Sequence, residues 1–156
     1  MNPLIKQSGL VAVVFASLVA CSKSEPLAPE LQAAVETRQQ GFSDIGEAFK
    51  TIRDALQAGR SLDADMAAAA QLIADRSQQL VDWFPEGTSS EHGTGIDALP
   101  AIWLQPEAFT AARERFVSEA AELAQLANAE DAEGFAAQVG PVGMSCKGCH
   151  DDYRAD

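Results

Sequence analysis

From Leu31 to Leu56 the apolar positions recur alternately four and three residues apart: Leu31, Val35, Phe42, Ile45, Phe49, Ile52 and Leu56, with one charged side chain, Arg38, on the same line. That spacing keeps one face of a helix apolar over several turns. Pro29 suits the first turn, and Gly59 suits the position just past the last. A second helical stretch follows Ser61, a residue able to cap it, with Leu62, Met66, Ala69, Ile73 and Leu80 on its inner line. Its run Ala67 to Ala70 favours helix and lets a neighbour come close. A third starts at Pro106, turns Phe109, Ala112, Phe116, Ala120, Leu123 and Ala127 inward, and ends near Asn128. In the fourth, Phe135, Val139, Val142, Cys146, Cys149 and Tyr153 keep the same spacing, with a kink or a late start expected where Gly140, Pro141 and Gly143 fall. Four such segments predict an all-α fold, an antiparallel four-helix bundle. One link is long: residues 84–105 are rich in Gly, Ser and Thr, and a connection of that length is usually functional or disordered.

The fourth helix carries the chemistry. Cys146-Lys147-Gly148-Cys149-His150 is a Cys-x-x-Cys-His run, the attachment signature of c-type haem, in which two thiols add across the vinyl groups and the imidazole binds iron. Residues three and four apart share a helix face, so Cys146, Cys149 and His150 can address one flat macrocycle together. A thioredoxin-like redox pair would sit in a βαβ pattern, and the chain shows no strand-like alternation. A zinc site would need a fourth ligand, and the only other histidine is His92, which reads as an exposed loop residue. One covalent haem c, with His150 as the axial iron ligand, is therefore the favoured cofactor. Arg38 then has a natural partner: a guanidinium on a buried stripe is costly unless paired, and a haem propionate supplies the anion. Its alternative is snorkelling to solvent.

Ahead of the helices, residues 9–20 are apolar and small and follow a start that carries Lys6. The stretch is too short to span a bilayer and has the form of a secretory signal. Leu18-Val19-Ala20-Cys21 resembles the lipobox of bacterial lipoproteins, in which cleavage precedes the cysteine and its thiol takes a diacylglycerol. Ordinary cleavage nearby would leave Cys21 as a free thiol, a liability in an oxidising compartment, so lipidation is favoured. Acyl chains on Cys21 would anchor the protein stably to a membrane surface. The expected organisation is a signal over 1–20, a lipidated N-terminus and tether over 21–28, and one bundle domain over 29–156. Haem is joined to c-type proteins outside the cytoplasm, so export and ligation agree on the bacterial cell envelope, facing the periplasm.

Eleven basic residues against twenty-three acidic ones give a formal charge of −12. Such a surface argues against nucleic acid and against peripheral binding to anionic lipid. It would favour basic redox partners, if the protein has any, but a solvated coat that keeps it soluble is the preferred reading.

These residues resemble the cytochromes c prime, high-spin haem proteins on an antiparallel four-helix bundle. The likeness lies in Arg38-Gln39 with Gly41-Phe42, in Phe84-Pro85-Glu86-Gly87-Thr88, in Leu99-Pro100-Ala101-Ile102-Trp103, and in Cys146 to Arg154. It implies five-coordinate iron with histidine on one face and an apolar side chain on the other. The family's distal residue falls four after the first-helix arginine, which here is Phe42. A low-spin sister group places a methionine on the first helix. Here Met66 lies on the second and Met144 beside the haem motif. By the same resemblance Gln39 lies near a propionate, Asp97 contacts the haem and Arg154 stands beside the proximal face, where it could instead cap the helix. The implied function is binding of NO, with CO as a second gas, and one-electron transfer. A phenylalanine wall offers no acid or base to cleave an O–O bond, which argues against an enzyme. The alternative is a low-spin electron carrier with a sixth protein ligand such as Met66. Both a monomer and a homodimer through the first two helices stay open.

Overall fold

The computed structural model describes residues 26–155. The expected signal and Cys21 lie outside them. The helices are α1 (Pro29–Gln57), α2 (Ala64–Gln79), α3 (Ala101–Leu104), α4 (Pro106–Asn128) and α5 (Ala132–Tyr153), with a 3-10 turn over Leu80–Asp82. The four long helices are those the spacing predicts. Among the described residues the β structure is one isolated bridge, Ala98 to Arg154.

Each helix end has a local cause. Beyond α1, Gly59 takes φ +75°, and the Gly59 and Arg60 amides bond back to the carbonyls of Leu56 and Ala55, the double bond of a Schellman close. α2 is capped by Asp63 rather than Ser61: Asp63 has the extended backbone a cap needs, and its Oδ1 accepts from the amides of Asp65 and Met66 at 3.1 Å each. α4 closes in the same way as α1, with Glu130 at φ 55° where glycine is usual and the Asp131 amide on the Leu126 carbonyl. Asp131 then caps α5 through the Gly134 amide.

The late start expected near Pro141 is absent: α5 runs from Ala132 to Tyr153 with the proline inside it. Proline removes one helical donor and costs about 3 kcal/mol in isolation. Phe135 and Val142, both fully buried, anchor the helix on either side of it, so packing outweighs the local penalty.

The core runs through Ile52, Met66, Ile73, Leu123 and Phe135, all fully buried. On α1 the buried stripe is shifted from the apolar seam. Gly41, Ala48 and Ala55 are buried beside Val35, Arg38, Ile45 and Ile52, whereas Phe42, Phe49 and Leu56 are half-buried. The small residues allow close approach of neighbouring elements, and the bulky Phe42 and Phe49 are left to border a cavity.

The long connection is folded. Ile96, Ala98 and Ile102 form a second apolar cluster with Val35, Phe109 and Tyr153. It is sewn to the chain's end by Leu99 N–H donating to the Tyr153 carbonyl at 2.9 Å and Ala155 N–H to the Asp97 carbonyl at 2.7 Å. The helix that bears the Cys-x-x-Cys-His run is thereby fixed at its C-terminus.

Candidate haem site

α1 packs on α2, α2 on α4 and α4 on α5. Between α1 and α5 a cavity of about 530 Å³ opens, in the size range of cofactor pockets. Cys146, Cys149 and His150 all border it, as their helical spacing predicts. Both cysteines are half-buried. Burial pushes the Cys146 thiol up, and burial followed by the charges of Cys146 and Asp152 pushes Cys149 up to about 11. A redox dithiol needs the opposite shift, so these thiols are not poised for disulfide exchange. Nor do the described residues group three or more His, Cys, Asp and Glu side chains as a metal ion would require. His150 is held below its usual pKa by partial burial first and by Arg154 second, which favours the neutral imidazole that an iron ligand must be.

Facing His150 across the cavity is Phe42, with 6.5 Å between ring centres and 76° between planes. At that separation and tilt the two rings stand as an edge-to-face pair on the cavity wall. Phe49, Phe84, Phe109 and Phe116 complete an apolar lining. Phe84 meets Phe42 at 6.3 Å and Phe109 at 4.9 Å. Neither methionine adds sulfur to it: Met66 is buried in the helix core, and Met144 is 61% exposed.

The polar residues that the sequence singles out gather on the same cavity: Arg38, Gln39, Asp97 and Arg154 all border it. Arg38 does not snorkel; it is 4% exposed. Nη1 donates to Thr88 Oγ1 at 3.1 Å and to the Trp83 carbonyl at 3.4 Å, and Nη2 donates to the Thr88 carbonyl at 3.0 Å. These contacts use three of the five guanidinium N–H groups and leave Nε and one Nη2 hydrogen for a second acceptor. Gln39 Nε2 donates to the Gly95 carbonyl at 2.8 Å. The Arg154 amide makes the last bond of α5, to the His150 carbonyl, and its side chain lies 3.6 Å from the Asp97 carboxylate. His92 is exposed and paired with Ser89 at 2.8 Å, off the cavity. Arg113 borders the cavity and escaped the sequence reading. It sits four after Phe109 and three before Phe116, a spacing that shares their face and could have flagged it.

A largely apolar cavity with two thiols and an imidazole on one wall and guanidinium groups at its border fits the donor chemistry of haem c. On an all-helical bundle, that combination defines a c-type cytochrome of the four-helix class.

The family model described as cytochrome C′ matches residues 33–154. The cytochrome c′ of Halomonas halodenitrificans is 39% identical over 133 residues, covering 81% of this chain and 99% of that relative. Among solved structures, the nitric oxide complex of a mutant cytochrome c prime from Alcaligenes xylosoxidans superposes with a TM-score of 0.73 at 27% identity, covering 83% of this chain and all of that one. Another cytochrome c′, described as having an unusual ligand-controlled dimer dissociation, gives a TM-score of 0.73 at 27% identity over 84% of this chain and 99% of its own. The chain belongs to the cytochrome c′ family, and haem c is its cofactor.

Proposed function

We propose that this protein takes up NO at a five-coordinate, high-spin haem c on the periplasmic side of the bacterial envelope, with CO as a second ligand and one-electron transfer as an accompanying capacity. The observation that carries the reading is the Phe42 ring opposite His150: the wall facing the axial ligand is apolar and has no lone pair to give. Bound haem would supply an iron centre able to take a diatomic ligand. The protein's own residues do the rest. Cys146 and Cys149 would hold the macrocycle through thioethers, and His150 would supply the proximal nitrogen. Phe42 would keep water and polar ligands off the distal face. Arg38, through its two spare N–H groups, and Gln39 would bind propionates, while Asp97 and Arg154 would close the proximal edge. Without a distal acid or base the site suits binding rather than O–O cleavage.

We further propose that residues 1–20 are a lipoprotein signal, that 21–28 form the lipidated tether through Cys21, and that 29–156 are the cytochrome domain. No described helix is long and apolar enough to cross a membrane. Membrane attachment would rest on the acyl chains of Cys21. Self-association into a homodimer follows the likeness to a relative whose dimer responds to ligand.

The deciding experiment is an absorption spectrum of the purified ferric and ferrous protein with and without NO. High-spin spectra and NO uptake with no ligand displaced from the distal side are expected. A low-spin ferrous spectrum before NO is added would overturn the reading in favour of an electron carrier with a sixth protein ligand.

A further inference from the structure

The Phe42 ring is held from behind. The Trp83 indole meets it edge-on, with 5.3 Å between ring centres and 79° between planes. Trp83 is 4% exposed and does not border the cavity. The residue before Phe42 is Gly41, in the interior of a 29-residue helix. Glycine there costs about 1 kcal/mol against alanine, so its presence calls for a reason. A methyl group at Gly41 would overlap the six-membered ring of Trp83, running into Cη2 and Cζ2, with Cζ3 2.8 Å away. Gly41 is thus a notch in α1 that admits the indole. One turn earlier on the same helix, Arg38 Nη1 donates to the Trp83 carbonyl, so the backbone that presents the indole is fastened to α1 as well.

We propose that Trp83, seated in the Gly41 notch, is the positioning residue of the distal wall: it keeps the Phe42 ring opposite His150 and sets how readily a neutral diatomic enters from that face. This rests on the gas-binding reading above and deepens it. Phe84 confines Phe42 on another side, so the freedom left to the ring lies toward residue 83. A smaller side chain at 83 leaves a void into which Phe42 rotates, opening the face. A methyl group at 41 drives the indole against Phe42 and closes it further.

The test is the rate of CO binding to the ferrous holoprotein, with thermal melting beside it. Trp83→Leu should raise the association rate by about tenfold, equivalent to about 1.4 kcal/mol of barrier. Gly41→Ala should lower it, and should have no effect in a Trp83→Leu background, because the clash it creates is with the indole. Trp83→Phe, the gentler change, should give an intermediate rate and carries the comparison if the leucine variant fails to mature. Lower melting temperatures with CO rates unchanged in every variant would make Trp83 a plain core residue and overturn the assignment. Equal effects of Gly41→Ala with and without the indole would also overturn it. A wild-type ferrous protein that is already low spin overturns the gas-binding reading itself, whereas normal wild-type uptake with unresponsive variants overturns the role of Trp83 alone.

Discussion

Arg38 and Thr88, fifty residues apart, are joined twice, through Nη1 to Oγ1 at 3.1 Å and through Nη2 to the Thr88 carbonyl at 3.0 Å. Burial pulls the Arg38 pKa below its ordinary value, against the opposing pull of Asp97, yet an arginine stays charged. A buried charge must be satisfied by its neighbours. The same Thr88 hydroxyl donates to the Pro85 carbonyl at 2.8 Å, so it ties the turn to itself and to α1 at once. Thr88→Val keeps the shape and deletes the hydroxyl, leaving Nη1 and the Pro85 carbonyl each short of a partner. The expected loss is about 1–3 kcal/mol, read from denaturant titration of the holoprotein. Thr88→Ser should recover most of it, and a valine variant as stable as wild type would mean that water takes over both bonds.

Phe42→Met places a thioether where the aromatic ring faces His150 across 6.5 Å. Sulfur is a ligand for haem iron and phenyl is not. The variant should move the ferrous spectrum toward low spin and weaken NO uptake by about tenfold or more, since an incoming ligand then has to displace a protein donor. An unchanged spectrum would place the distal wall elsewhere on α1.

How far the sequence discloses this arrangement depends on how local each cause is. The haem motif, the seam of α1 and the Gly59 close are legible because their partners lie within a turn or two. The burial of Gly41, Ala48 and Ala55 is not, because a small side chain shows no apolar signal and its burial is decided by what packs against it. Arg38 could be recognised as a cation in need of a partner. Its observed acceptors, at Trp83 and Thr88, lie forty-five and fifty residues away in a loop whose path no periodicity gives. Ser61 and Asp63 are both good caps by type, and the cap is Asp63, whose Oδ1 reaches the Asp65 and Met66 amides. Pro141 reads as a possible late start because propensity is local, whereas the packing of Phe135 and Val142 that lets α5 begin at Ala132 is tertiary.

Cys21→Ser removes the proposed acyl acceptor without touching residues 29–156. A single myristoyl-class chain binds membranes only marginally, while two or more hold stably, so the anchor should be all or nothing. The variant should shift from the membrane fraction to the soluble periplasm with an unaltered haem spectrum. Retention in membranes would remove the lipid anchor from the account.

Asp63 caps α2, and its carboxylate is held below the usual 3.8, first by the Met66 amide, with Arg60 adding to the effect and burial opposing it. A carboxyl group whose pKa is depressed by folding contributes its full stabilisation above 3.8 and loses it as pH falls through the lower folded-state value. Asp63→Ala should therefore melt a few degrees below wild type at pH 7, and the gap should narrow as the solution is acidified past that point, because the protonated carboxyl keeps an acceptor oxygen but loses its charge. Asp63→Asn retains an acceptor for the α2 amides and carries no titrating charge, so its melting temperature should sit between the two at pH 7. Its difference from Asp63→Ala should stay nearly constant through the same acid range. Convergence of wild type and alanine at neutral pH instead would show that the Asp65 and Met66 amides are satisfied by water, and that the helix start is set by the chain reversal at Gly59.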